Sequence, residues 1–294
     1  MSEYALVIPA NMPYMPGLNG ILNALDYYGN TCAVEVITTD IPDAYFDECR
    51  RAFGYPINVT PEADFPELAI EGWSMVRRLH FSRYARAAQL AGEYEAIMFL
   101  DADCGLVNNI MHQFKLAGDS GLILAAHNVL GQDLFPFKYT ERHHTNAVPV
   151  ANMPMFLRPD TYHEVFTRTI EISAGPGGID DMPALFYAID EAGALPNVVL
   201  LPDSLWLNNH FYQVPHKRLD FTAYDGRFYL YANLERVSVF HKKWWHEPHR
   251  LREVEKISGQ PGVIAQHNTE LWASVYRYFN TQHKVTIDFD KYAG

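Results

Sequence analysis

Two aspartates, Asp101 and Asp103, stand one residue apart in the segment FLDADCGL, where an apolar run ends. Two carboxylates at this spacing repel each other unless a cation lies between them, and oxygen ligands suit a hard divalent ion. Such an ion can also hold two oxygens of a diphosphate and neutralise the charge that develops on a departing nucleotide. The same pattern occurs in ordinary solvated loops, where Asp101 would cap the following turn. The pair therefore predicts either a metal site or a solvated turn, and the surrounding sequence has to decide between them.

The elements that would position this pair are readable from apolar periodicity. Short runs rich in β-branched residues predict buried strands over 4–10, 33–39, 96–103, 121–127 and 197–203. Helical spacing predicts a helix that ends at Gly29 and Asn30, and further helices over 72–94, 181–193 and 269–281. Strand and helix alternate over the first 130 residues, which predicts an α/β fold: a single Rossmann-like, mostly parallel sheet flanked by helices. Ligands bind such sheets beyond the carboxyl ends of the strands, and the two aspartates lie at one of these ends.

Length and composition predict one elaborated domain. The chain has 294 residues, of which 48% are hydrophobic, and no linker divides it. We expect a nucleotide-binding half over residues 1–130 and an irregular, acceptor-shaping half over residues 131–294. The net charge of −12 opposes attraction to nucleic acid and to anionic lipid, so neither is expected as a partner. No leader or membrane span is evident, and three cysteines without metal-ligand spacing indicate free thiols, so the sequence predicts a cytoplasmic protein.

The residues around the aspartates resemble the retaining glycosyltransferases of the glycogenin and bacterial lipopolysaccharide galactosyltransferase type, whose fold is called GT-A. After the first predicted strand, VIPANMPYMPG offers Asn11 and Tyr14 at the spacing of the family's base-binding segment. RYARAAQLAGEYEAIMFLDADCGLV matches the helix and strand that carry the family's basic residue and its DxD motif. Arg86 is the preferred counterpart of that basic residue, and Arg83 is the second choice. The resemblance implies that these side chains and Asp101 bind a nucleotide-sugar donor.

Three later segments extend the resemblance along the chain. VANMPMFLRPD makes Asn152 a candidate for contact with the donor sugar, and GGIDDMPALFYAI puts Asp180 and Asp181 in the places of the family's Asp-Gln pair. Carboxylates that open a helix are also ordinary caps, so that alternative stays open for both residues. RVSVFHKKWWHEPHR resembles the family's closing segment, in which His241 would complete the metal site.

The resemblance implies a Mn²⁺ ion, or less strongly Mg²⁺, bound by Asp101, Asp103 and His241. An oxygen-rich set with one imidazole suits this choice of metal. Glu247 stands where the family has a lysine. Contact with the diphosphate would therefore come from Lys242, Lys243 or Arg250.

The activity implied by the resemblance is metal-dependent sugar transfer from a nucleotide sugar, with a UDP-sugar as the preferred donor and retention at the anomeric carbon. Asp181, or Asp180 beside it, would act as nucleophile or stabilise the oxocarbenium centre, through either a covalent intermediate or front-face attack. A glycan, a lipid-linked sugar, a protein or a modified base could be the acceptor. Two alternatives remain: a nucleotidyltransferase, disfavoured because PANMPYMPGLNG has no basic residue, and a non-catalytic nucleotide-sugar-binding protein.

Overall fold

A computed structural model describes the chain over residues 2–127, 150–176, 178–201, 206–208, 219–224, 226–232, 235–241 and 274–288. The described strands are β1 Tyr4–Ala10, β2 Ala33–Thr38, β3 Ile57–Pro61, β4 Ala96–Phe99, β5 Cys104–Leu106, β6 Ile123–His127, β7 Val150–Leu157, β8 Val198–Leu200, β9 Trp206–Asn208, β10 Leu219–Tyr224, β11 Arg227–Ala232, β12 Glu235–Arg236 and β13 Val239–His241. The helices are α1 Met15–Tyr27, α2 Asp43–Ala52, α3 Met75–Gln89, α4 Met111–Ser120, α5 Pro159–Ala174 and α6 Asp181–Glu191. Residues 274–281 are also helical.

The central sheet has seven strands in the order β3-β2-β1-β4-β7-β6-β8. Strands β1 to β4 are mutually parallel, whereas β7 runs antiparallel to both of its neighbours, β4 and β6. Every residue of β1 and β2 is buried, as expected for strands covered by helices on both faces. This architecture confirms the predicted α/β class with a mostly parallel sheet. Strands from both predicted halves of the chain share the sheet, since β7 and β8 lie beyond residue 130.

Local sequence signals explain where two of the helices begin and end. Helix α1 ends in the predicted glycine cap, because Gly29 adopts the left-handed conformation with φ of 69°. At the N-terminus of α3, the Ser74 hydroxyl accepts a hydrogen bond of 3.2 Å from the backbone N–H of Arg77 and so caps the helix. The predicted helix over 72–94 therefore shortens to Met75–Gln89.

A second sheet has three strands in the order β5-β13-β9, and its strand β5 begins directly after Asp103. In its antiparallel β5–β13 pair, Gly105 faces Phe240 and Cys104 faces His241. A Cβ atom on Gly105 would lie 2.1 Å from the Phe240 ring, so this position requires glycine. The pairing brings the backbone of His241 beside a residue 137 positions earlier in the chain, next to Asp103.

The segment 274–288 is fastened to α1 by buried amides. Asn19 donates hydrogen bonds to Asn280 Oδ1 (3.1 Å) and to the Val285 carbonyl (3.0 Å). Asn23 donates to the carbonyls of Phe279 (2.8 Å) and Val285 (2.7 Å). Because a buried amide that loses its partner is costly, this network fixes the segment against α1.

None of the described helices has the length and hydropathy of a membrane-spanning segment.

Candidate active site

The aspartate pair lies in a turn at the carboxyl end of β4. The strand ends at Phe99, and the backbone N–H of Cys104 donates to the carbonyl of Asp101 at 3.0 Å. The predicted strand over 96–103 is therefore too long by four residues, because this turn lifts both aspartates out of the extended ladder. The Asp103 residue is 2% exposed, whereas the Asp101 side chain is 21% exposed.

Arg83 of α3 forms an ion pair with Asp101. Its Nη2 donates to Asp101 Oδ1, and its Nε donates to the His80 carbonyl at 3.0 Å. The residue is 1% exposed, and its Nη1 is buried without a hydrogen-bond partner among the described residues. Burial by itself would lower the pKa of Arg83, but the negative charges of Asp101 and Asp181 outweigh it and raise the pKa overall. A permanently charged guanidinium thus lies beside the aspartate turn with one donor group to spare.

Arg86, the first choice from the sequence, points to a different part of the sheet. Its Nη2 donates to Glu35 Oε2 of β2 at 2.9 Å. The other Glu35 oxygen accepts hydrogen bonds from Tyr94 (2.7 Å) and Asn58 (2.7 Å), and the Glu35 side chain is 1% exposed. The structure therefore brings Arg83, and not Arg86, to Asp101.

Three side chains from three separate elements meet beside this ion pair. The Asn152 amide of β7 donates to Asp181 Oδ2 of α6 at 2.6 Å and to the Tyr84 hydroxyl of α3 at 3.0 Å. The Tyr84 hydroxyl donates to the same Asp181 oxygen at 3.4 Å. Since β7 is antiparallel to β4, its first residues lie at the carboxyl end of β4, which explains why Asn152 reaches this edge. We call Tyr84, Asn152 and Asp181 the carboxylate triad.

The side chains of Asp180 and Asp181 differ in how they are used at the start of α6. Asp180 occupies the N-cap position of α6, but its side chain makes no capping hydrogen bond. Asp181 is the first helical residue, and its carboxylate is bound to Asn152 instead. The carboxylate of Asp181 is thus held from outside its own helix, whereas that of Asp180 is exposed.

The approach to α6 is clamped by Arg77 of α3. Its Nη2 donates to the Ser173 hydroxyl (2.7 Å) and to the Ile179 carbonyl (2.8 Å). The guanidinium also lies 4.8 Å from the centroid of the Trp73 ring. This clamp fixes the chain two residues before Asp181, so it contributes to the position of the carboxylate triad.

The potential metal ligands at the aspartate turn are of the types that suit a divalent cation. Burial, and then the negative charges of Asp103 and Asp101, raise the pKa of the Cys104 thiol well above its ordinary value. The β5–β13 pairing adds the backbone of His241 beside the turn, although its side chain lies outside the described part of the structure. Within the described side chains, no three metal-ligating groups come together. Two carboxylates with a histidine position next to them fit Mn²⁺ or Mg²⁺.

Asn11 and Tyr14 lie at the same edge of the sheet, after β1. A short 3-10 turn over Met12–Tyr14 follows the strand, closed by a hydrogen bond of 2.9 Å from the Tyr14 N–H to the Asn11 carbonyl. The Met12 N–H donates to Asp40 Oδ1 at 2.7 Å, which joins this turn to the end of β2. Asn11 is 7% exposed, and its side-chain oxygen is buried without a hydrogen-bond partner in the described part of the chain.

Comparison with solved structures identifies the fold. The galactosyltransferase LgtC, in complex with donor and acceptor sugar analogues, matches with a TM-score of 0.58 at 13% identity over 87% of this chain and 95% of its own. The bifunctional glycosyltransferase WbbM matches with a TM-score of 0.62 at 12% identity over 94% of this chain and 51% of its own. The protein has the GT-A glycosyltransferase fold. Mouse xyloside xylosyltransferase 1 also matches, with a TM-score of 0.51 at 13% identity over 83% of this chain and 98% of its own.

Sequence comparison adds nothing further, because no family model matches the chain and no curated protein matches it. The GT-A fold expected from the resemblance is therefore confirmed by structural similarity alone.

The predicted site residues and the observed ones overlap only in part. The diphosphate candidates Lys242, Lys243 and Arg250 lie outside the described residues. Tyr84 and Arg77, which help to hold Asp181, were not predicted as site residues. The two residues lie seven positions apart on α3, and this spacing puts them on one face of the helix. That periodicity was the signal in the sequence from which they could have been predicted.

Proposed function

We propose that this protein is a metal-dependent glycosyltransferase that takes a sugar from a nucleotide-sugar donor, most simply a UDP-sugar, and transfers it with retention. The observation that carries the proposal is the meeting of two carboxylate centres at one edge of a GT-A sheet. One is Asp101 with its arginine partner, and the other is Asp181 in the carboxylate triad. A single buried cation, Arg83, interacts electrostatically with both.

The nucleotide base is assigned to the turn after β1. A buried amide oxygen without a partner is costly unless a ligand completes it, and Asn11 offers such an oxygen at the ligand-binding edge. This acceptor suits an N–H on the edge of a base such as uracil. Tyr14, three residues later and half-buried, would stack its ring on the base.

The diphosphate is assigned to the aspartate turn. Asp101, Asp103 and His241 would hold a divalent cation, which supplies electrostatic stabilisation to the departing nucleoside diphosphate when it is bound. The Nη1 group of Arg83, which has no partner among the described residues, would donate a hydrogen bond to a phosphate or a sugar hydroxyl of the nucleotide sugar. Lys242 would add a second positive charge from the segment that follows β13.

The reacting sugar is assigned to the space beside the carboxylate triad. Asn152 and Tyr84 bind one oxygen of Asp181, and the other oxygen accepts no hydrogen bond from the described residues. That oxygen is available as the nucleophile or as the stabiliser of positive charge at the anomeric carbon. Asp180, exposed at the helix start, is the second candidate for this role.

The test is donor turnover, which does not need the acceptor. The purified protein is incubated with a panel of UDP-sugars and Mn²⁺, and released UDP is measured with water as the default acceptor. We expect UDP release that stops with EDTA and returns with Mn²⁺, and retention in the product's anomeric configuration by NMR. Release of pyrophosphate from a nucleoside triphosphate and sugar phosphate, instead of UDP, would establish a nucleotidyltransferase. UDP binding by calorimetry, together with no UDP release from any donor, would favour a non-catalytic binding protein.

A further inference from the structure

We propose that Tyr84 is a positioning residue that fixes the orientation of the Asp181 carboxylate toward the reacting centre. This inference rests on the proposed function and deepens it. Tyr84 is fully buried, so its hydroxyl cannot obtain hydrogen bonds from water. Its two hydrogen-bonding partners in the described structure are Asn152 and Asp181, both drawn from other elements.

The geometry shows how the hydroxyl acts. Its direct bond to Asp181 Oδ2 is long, at 3.4 Å, whereas Asn152 Nδ2 lies 2.6 Å from the same oxygen. An amide has two N–H groups, and Asn152 directs one to Asp181 and one to the Tyr84 oxygen at 3.0 Å. Tyr84 therefore fixes the rotation of the Asn152 amide, and the amide in turn fixes the carboxylate. The main effect of Tyr84 passes through Asn152.

The ring of Tyr84 is itself fixed. It makes edge-on contacts with Phe81 (5.8 Å between centroids) and Phe99 (5.5 Å), the second of which ends β4. Burial and then the charge of Asp181 raise the pKa of Tyr84 well above its ordinary value, so the hydroxyl keeps its proton and remains a donor. A neutral, rigid hydroxyl suits orientation of a carboxylate better than proton transfer.

The test compares two isosteric substitutions. Tyr84→Phe removes the hydroxyl from the triad, and Tyr55→Phe removes a similarly buried hydroxyl that donates to the Leu22 carbonyl at 2.6 Å, outside the site. We expect similar melting temperatures for the two variants. We expect the kcat of Tyr84→Phe for UDP-sugar hydrolysis to fall about 10- to 100-fold with donor KM within about twofold, because a hydrogen bond that orients a charged group is lost. Tyr55→Phe should keep both constants.

A double-mutant cycle separates positioning from a general structural effect. In an Asp181→Asn background, measured under single-turnover conditions with enzyme in excess, Tyr84→Phe should cause little further loss, because its target is already disabled. A kcat of Tyr84→Phe equal to that of Tyr55→Phe, or an undiminished loss in the Asp181→Asn background, would overturn the inference. Failure of the wild-type protein to bind UDP or to hydrolyse any UDP-sugar would instead reject the proposed function.

Discussion

Replacing one of two arginines on the same helix should separate catalysis from stability. Arg83→Met removes the partner of Asp101, and Arg86→Met removes the partner of Glu35. Methionine keeps a long, helix-compatible side chain, so each substitution mainly deletes a charge and its hydrogen bonds. The two variants form a matched pair because both residues lie on α3, three positions apart.

The expected loss of stability is similar for the two variants. Breaking a buried ion pair costs about 3 to 5 kcal/mol, since one charge is left without its partner. The Asp101 side chain is 21% exposed, so water relieves part of this cost and we expect about 3 kcal/mol. Glu35 is 1% exposed, but in Arg86→Met it keeps the hydrogen bonds from Tyr94 and Asn58. These bonds stabilise the remaining charge, so we again expect a loss of stability of about 3 kcal/mol. Each variant should melt about 6 to 12 °C below the wild type.

The expected effects on activity are very different. Arg83 would contact the donor, so Arg83→Met should lower kcat/KM for UDP-sugar hydrolysis about 100-fold or more. Arg86→Met should stay within about threefold of wild type when assayed well below its melting temperature. Differential scanning fluorimetry and the UDP-release assay measure the two properties on the same samples. If Arg86→Met were inactive and Arg83→Met active, the assignment of Arg83 to the donor site would be refuted.

Asp181, Gly105 and the buried thiols allow tests of other parts of the site and the core. Asp181→Asn should leave UDP affinity by calorimetry near normal and lower kcat by at least about 100-fold; a near-wild-type kcat would move the catalytic role to Asp180. Gly105→Ala should force β5 and β13 apart, because the new Cβ would lie 2.1 Å from the Phe240 ring, and should weaken Mn²⁺ binding measured by electron paramagnetic resonance; unchanged binding would mean that the strand pairing does not support the metal site. Burial raises the pKa of Cys32 to about 12 and that of Cys49 to about 11, so both thiols should resist alkylation at pH 8 until the protein unfolds. Because the folded pKa values are raised, this contribution to stability is complete below the unfolded thiol pKa of about 8.5 and is lost as pH rises toward 11; a melting temperature constant from pH 8 to 11 would contradict it.

Much of the fold could be predicted because it depends on short-range patterns. Strand β1 was predicted with its observed bounds, and β2 differs by one residue, since continuous apolar runs have few alternatives to a buried strand. Strand β7 was not assigned as a strand in advance, and its antiparallel place between β4 and β6 was not predicted. Strand order depends on pairings between residues far apart in sequence, which a local pattern does not encode.

The sequence by itself determined which chemical groups would gather at the carboxyl edge of the sheet. A buried strand followed at once by Asp101 and Asp103 can place those carboxylates only near its end, and the resemblance supplied Asn152 and Asp181 as further candidates. Only the tertiary structure decided how these groups are paired. Arg83 and Arg86 are less than one helical turn apart, and the packing of α3 on the sheet directs one to Asp101 and the other to Glu35. The carboxylate triad likewise joins residues 29 to 97 positions apart, so its hydrogen bonds exist only once β7, α3 and α6 have packed together.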